Sequence, residues 1–390
     1  MSQYKAGRHF LQTPGPTNVP DRVLRAMDRA PINHRGPEWG GIGREVVVNL
    51  RQIFGTKGIV AIFPASGTGA WEAALLNTLS PGDQVLMSHT GWFAHLWENM
   101  ALKLGLEPIM LETDWRRGAD PTAIEERLNA DKSHKIKAVC VVHNETSTSC
   151  MTHALPVRQA MDRAKHPALL MVDAISSLAC SDFQHDAWGV DVTISGSQKG
   201  LMTPPGLSFN AISAKALEAM KTAKLPRSYW DWEPLVTANS TGFFPYTPAE
   251  TLMFALNEAL KMLLEEGLPN VYARHERYAE ATRRAAKTWG LELQCQDPTC
   301  YSPGVTALLT PEGHGADNLR NIILDKFNMA LGNGLGRVTD KVFRIGHMGD
   351  LGELQLIGTL GGVEMGMRVA GMPHQAGGVQ AAVDYLSGNA

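Results

Sequence analysis

Residues 136–143 read IKAVCVVH, a nearly continuous β-branched run broken by one lysine. Such a run suits a strand that is covered on both faces, as in a parallel sheet sandwiched between helices. Working outward, the theme repeats at 59–63 (IVAIF), 84–87 (QVLM), 168–173 (ALLMVD) and 190–194 (VDVTI). Helical patterns lie between most of these runs. One of them is AWEAALLNTL at 70–79, closed by Pro81-Gly82. Strands alternating with helices predict βαβ units and a mostly parallel α/β sheet. Ligands of such sheets bind beyond the carboxyl ends of the strands. From about residue 250 the texture changes. A helix over 250–266 is stopped by Gly267, and a charged helix follows over 269–289. Strands at 305–309 and 342–345 and helices at 316–327 and 351–367 predict a smaller α+β unit. The expected division is a large domain over 23–250 and a small one over 251–390.

The 390 residues are 44% hydrophobic and 19% charged, enough apolar surface for a core. The formal net charge of −3 gives no basic excess, which argues against a nucleic-acid partner. The five cysteines form no CxxC pair, so neither a disulfide framework nor a metal cluster is expected. No stretch is long and apolar enough for a membrane span, and the start, MSQYKAGRHF, lacks the apolar segment of a secretory leader. A cytoplasmic protein is expected.

Four features carry chemistry. The first is Lys199 in SGSQKG (195–200), set among small residues just after a strand. A buried lysine near other cations loses its proton more easily and can attack an aldehyde; a solvated loop lysine is the plain alternative. The second is Asp173, which ends the apolar run 168–172 and is costly there unless paired. A protonated pyridine nitrogen would suit it, and so would a helix N-cap role. The third is SGTG at 66–69, between strand and helix, where backbone N–H groups and the Thr68 hydroxyl can face an anion. It is neither a Walker A loop nor a dinucleotide G-x-G-x-x-G. The fourth is Arg344 in KVFRIG (341–346), a buried-stem arginine suited to clamp a carboxylate, or an exposed strand residue. Together they describe a phosphate cup, a ring anchor, a Schiff-base lysine and a carboxylate clamp.

With those residues stand PGPTNVP (14–20), FPASGTGAWE (63–72), VVHNETSTS (141–149), LLMVDAISS (169–177), GSQKG (196–200), FPYTP (244–248) and KVFRIGHMGDL (341–351). The chain resembles the class V aminotransferases of fold-type I, which use pyridoxal 5′-phosphate. Within them it is similar to the serine–glyoxylate and alanine–glyoxylate enzymes. HNETSTS, DWEP (231–234) and FPYTP favour the serine–glyoxylate branch.

The resemblance implies roles. Lys199 holds the cofactor's aldehyde and then moves the proton, and Asp173 pairs with the ring nitrogen. Thr68, Gly69, Ala70 and Gln198 hold the phosphate. Phe93 stacks on the ring, unless it is a core aromatic. Thr146 donates to the phenolic oxygen, and Arg344 binds the substrate carboxylate. Tyr246 and Thr247 reach the phosphate of a partner subunit, which implies a homodimer with shared sites. The segment 1–22 belongs with the small domain and the subunit interface. Arg35 and His34 are candidate contacts to the substrate side chain, or His34 is an interface histidine. The chain departs from relatives at Ser149-Cys150, where glycine is common, and at Phe244, where some carry tyrosine.

The implied reaction is transamination between a small L-amino acid, L-serine first, and glyoxylate. It yields hydroxypyruvate and glycine. Alanine, aspartate or another donor is the alternative. Two rivals are a cysteine desulfurase-like lyase, using Cys295 or Cys300, and a non-catalytic cofactor-binding regulator. Gln198 stands where desulfurases typically carry histidine. The motifs begin at Pro14, which leaves no expected DNA-binding domain before them.

Overall fold

A computed structural model describes residues 6–388, so residues 1–5 of the expected N-terminal segment and 389–390 of the expected small domain lie outside the described residues. The large sheet has seven strands in the order Ile59–Phe63, Ser208–Ile212, Val192–Gly196, Leu169–Asp173, Ile136–Val142, Gln84–His89 and Glu107–Glu112. All neighbours run parallel except Ser208–Ile212, which is antiparallel to both strands beside it. The sheet is mixed and mostly parallel, as the sequence predicts.

The period of two explains the continuous apolar runs. Leu170 and Val172 point into one core with Leu50, Phe54 and Phe209. Leu169 and Met171 point into the opposite core with Trp71, Leu75 and Trp97. Both faces are covered by helices, so neither phase of the strand can be polar.

The second sheet has four strands in the order Phe10–Gln12, Met329–Asn333, Val342–Gly346 and Val305–Leu309. Phe10–Gln12 pairs in parallel with Met329–Asn333, which fastens the start of the described chain to the small domain. This sheet packs through Phe343 and Ile345 onto Trp289, Leu356 and Leu360. The helix Glu250–Glu266, expected to open the small domain, instead buries Met253, Leu256, Leu260 and Leu263 in the large domain's core. Packing passes to the small core only within Leu268–Trp289, from Tyr278 onward. The change of texture at 250 therefore marks the start of an amphipathic helix and not a change of core.

Candidate active site

Several large-sheet strands deliver side chains to one cavity of about 120 Å³, lined by Thr68, Phe93, Thr146, Asp173, Gln198 and Lys199 among others. The sequence separates these residues by as many as 131 positions (199 − 68), and the fold brings them together.

Lys199 follows the strand Val192–Gly196. Its Nζ donates to the Pro14 carbonyl at 2.6 Å. Thr17 ties the same segment down, its N–H to the Gln198 carbonyl at 3.1 Å and its hydroxyl to the Lys199 carbonyl at 3.1 Å. Gly15 is favoured here by its backbone, and a side chain would crowd the lysine. Its φ is +102°, and a Cβ would come within 2.3 Å of the lysine Nζ. Burial, with Arg344 nearby, brings the Lys199 amine down to about 8. A lysine so placed holds a sizeable neutral fraction near neutral pH, and the neutral amine is the nucleophile.

Asp173 ends Leu169–Asp173 and is buried. Its Oδ1 accepts from the Ile175 N–H at 2.7 Å and its Oδ2 from the Trp71 indole at 2.9 Å. Burial pushes its carboxyl up to about 7 against those two donors. A cation set against it would favour the ionised form.

The helix Gly67–Thr78 starts at Ser66, whose hydroxyl makes no capping bond. The N–H groups of a first turn have no helical acceptor and carry the positive end of the dipole. Gly67 and Thr68, in that turn, line the cavity. Two acceptors have no hydrogen-bond partner among the described residues, Gln198 Oε1 and Asn144 Oδ1. Both residues line the cavity, and buried acceptors left so are costly unless a ligand donates to them. Anion-binding amides, a buried carboxylate, unpaired acceptors and a proton-losing lysine around one space fit pyridoxal phosphate.

Not every expected residue lies on the cavity. The Gly69 amide turns back to the Ser66 carbonyl at 2.9 Å, and a Cβ at Gly69 would meet the Trp230 ring at 2.6 Å. Ala70 is fully buried and its carbonyl accepts from Asn210 at 3.1 Å. Arg344 is buried behind the lining, its Nε on the Asn333 carbonyl at 2.7 Å and its Nη1 on the Thr146 carbonyl at 3.0 Å. Burial lowers it to about 10. Arg35 donates to His34 Nε2 at 3.0 Å, and His34 faces Glu250 at 3.9 Å. Tyr246 donates to the Ile62 carbonyl at 3.2 Å and stacks on Tyr229, while Thr247 is exposed. Phe244 packs edge-on against Trp39. Cys295 is buried and makes weak contacts to the carbonyls of Asp297 and Cys300, and neither Cys295 nor Cys300 lines the cavity.

Trp71, Asn144 and Ser176 line the site without having been singled out. All three lie inside the quoted stretches 63–72, 141–149 and 169–177. That position was the only signal for them.

The family described as Aminotransferase class-V matches residues 9–336. The chain belongs to the class V aminotransferases. Its cofactor is accordingly pyridoxal phosphate. The chain is 48% identical to a serine–glyoxylate aminotransferase of Methylorubrum extorquens, over 99% of this chain and 98% of that one. It is 43% identical to an L-aspartate–glyoxylate aminotransferase of Paracoccus denitrificans, over 95% and 94%. Among solved structures it is similar to the ureidoglycine–glyoxylate aminotransferase of Bacillus subtilis. The TM-score there is 0.90 at 28% identity, with coverage of 99% and 100%.

Proposed function

We propose that this aminotransferase moves the amino group of L-serine to glyoxylate, giving hydroxypyruvate and glycine. The observation that carries the reading is the joint placement of Lys199, Asp173 and the turn at Gly67 and Thr68 around one cavity. The likeness to a serine–glyoxylate enzyme supports the choice of donor. The aspartate–glyoxylate relative keeps a dicarboxylic donor as the second reading.

When bound, pyridoxal phosphate supplies an aldehyde that takes up the amino group and a ring that withdraws electrons from the donor's Cα. This chain's residues do the rest. Thr68 and the first-turn amides hold the phosphate, with Gln198 beside them. Asp173 stays ionised against the ring nitrogen and keeps it protonated. Phe93 bounds one ring face, and Thr146 donates to the phenolic oxygen. With the cofactor bound, the Lys199 amine would take up and pass on the proton of the donor's Cα. Arg344 holds the α-carboxylate so that the Cα–H bond stands in reach of that amine.

Gly69 and Ala70 act by packing the phosphate turn against Trp230 and Asn210. Tyr246 and Thr247 complete the phosphate site of a second copy, and His34 and Arg35 approach the substrate side chain across the same interface. Their positions away from this chain's own cavity support a homodimer. No helix among the described residues is long and apolar enough to cross a membrane.

The test is a half-reaction panel. The holoenzyme is mixed with L-serine, L-alanine and L-aspartate in turn, and loss of the cofactor's visible band is timed. Fastest bleaching by L-serine, with glyoxylate restoring the band, supports the reading. Fastest bleaching by L-aspartate moves the donor to the second reading.

A further inference from the structure

A buried carboxylate next to the site has no part in the reaction described above. Glu145 is fully buried. Its Oε1 accepts from the Ser147 hydroxyl at 2.5 Å, the Ser147 N–H at 3.1 Å and the Phe93 N–H at 3.4 Å. Its Oε2 accepts from the Ala94 N–H at 3.1 Å. The Ser147 hydroxyl in turn accepts from the Trp92 N–H at 2.9 Å. The helix Trp92–Lys103 has Gly91 as its N-cap, and so no cap side chain of its own. A carboxylate 51 positions away does that work instead, at the end of the helix where negative charge is favoured. Space for it is reserved, since a Cβ on Gly91 would come within 2.4 Å of the Glu145 side chain.

The same residue touches the other side of the site through its neighbour. The Thr146 carbonyl accepts from Arg344 Nη1 at 3.0 Å, and the Thr146 hydroxyl is 2.8 Å from that of Ser176. The Ser147 N–H held by Glu145 and the Thr146 carbonyl held by Arg344 belong to the same peptide group.

We infer that Glu145 is a positioning residue: it fixes Phe93 at the cavity wall through the first turn of Trp92–Lys103, and it orients Arg344 through the Thr146 carbonyl. The inference rests on the proposed roles of Phe93 and Arg344. Glu145→Gln keeps the side chain's volume but turns an NH₂ group toward N–H donors, whichever way the amide lies. Gly91→Ala presses on the same carboxylate from the helix side.

The experiment compares both variants with the wild-type holoenzyme. It measures KM and kcat for each substrate, cofactor dissociation by equilibrium dialysis, circular dichroism of the bound cofactor, and Tm. We expect KM for the amino donor and for the 2-oxo acid to rise together, on the order of tenfold, as one charged hydrogen bond is disturbed. We expect kcat to fall by less than about threefold, the mark of lost binding shared by ground and transition states. The cofactor's dichroism should change per molecule bound. A lowered Tm with unaltered KM and dichroism would overturn the inference and leave Glu145 as scaffold only. If Glu145→Gln does not fold, Gly91→Ala decides by the same readouts. A wild-type enzyme that fails to transaminate would instead sink the functional reading.

Discussion

The indole of Trp71 donates to Asp173 Oδ2 at 2.9 Å, which ties the helix Gly67–Thr78 to the end of the strand Leu169–Asp173. One hydrogen bond thus joins the helix that begins at the Gly67–Thr68 turn to the buried carboxylate. Trp71→Phe keeps the packing and removes the donor. Hydrogen bonds to charged groups are worth about 1.5–3 kcal/mol, so kcat should fall roughly ten- to hundredfold. Asp173→Ala should keep its fold and lose most turnover, because a carboxylate beside a ring cation shifts it by about 1–3 pKa units at roughly 1.4 kcal/mol each. Steady-state kinetics with Tm as control checks both. Near-normal turnover in Asp173→Ala would remove its assigned role.

The lowered Lys199 amine has a kinetic consequence. Burial brings it to about 8 in the cofactor-free chain. Only the neutral amine attacks an aldehyde, so capture of pyridoxal phosphate by the apoprotein should speed up as pH rises toward about 8 and level off above it. Stopped-flow absorbance between pH 6 and 10 reads this directly. A rate still climbing at pH 10 would mean an ordinary exposed lysine.

Arg344 offers two nitrogens to backbone carbonyls, and no hydrogen bond engages Nη2 among the described residues. That leaves part of the guanidinium for a substrate carboxylate. Arg344→Lys keeps a charge and loses the planar fork. KM for donor and acceptor should both rise about ten- to hundredfold, with kcat changed much less. Equal effects on kcat alone would place the substrate carboxylate elsewhere.

Ser149 adopts φ 57°, a left-handed conformation that favours glycine. Its hydroxyl accepts from the Ala307 N–H at 3.2 Å, a bond between the two domains. Ser149→Gly should relieve about 1–2 kcal/mol of backbone strain and orphan a buried amide at about 1–3 kcal/mol. At the middle of these ranges the net loss is about 0.5 kcal/mol, read from urea unfolding. A gain in stability would show that the hydroxyl's bond does not matter.

The parts of the site legible in the sequence are those whose chemistry is local. Asp173 ends a strand, and Lys199 and Thr68 stand three and five residues past one, where a polar residue after an apolar run needs a partner. Trp71, Asn144 and Glu145 were hidden because these partners lie 32–102 positions away, and nothing local distinguishes an indole in the core from one aimed at a carboxylate. The strand Ser208–Ile212 was hidden because it carries Ser208 and Asn210 and runs against the βαβ rhythm. Its Asn210 is buried and donates to the Ala70 carbonyl, so polarity within the strand marked tertiary pairing and not a turn.

The central claim is that Lys199 is the residue bonded to the cofactor, and borohydride reduction tests it most directly. Reduction of the wild-type holoenzyme, followed by digestion and mass spectrometry, should place the reduced pyridoxyl phosphate on Lys199, and Lys199→Ala should take up none. A label on another lysine, or none on the wild-type chain after saturation with pyridoxal phosphate, would contradict the account.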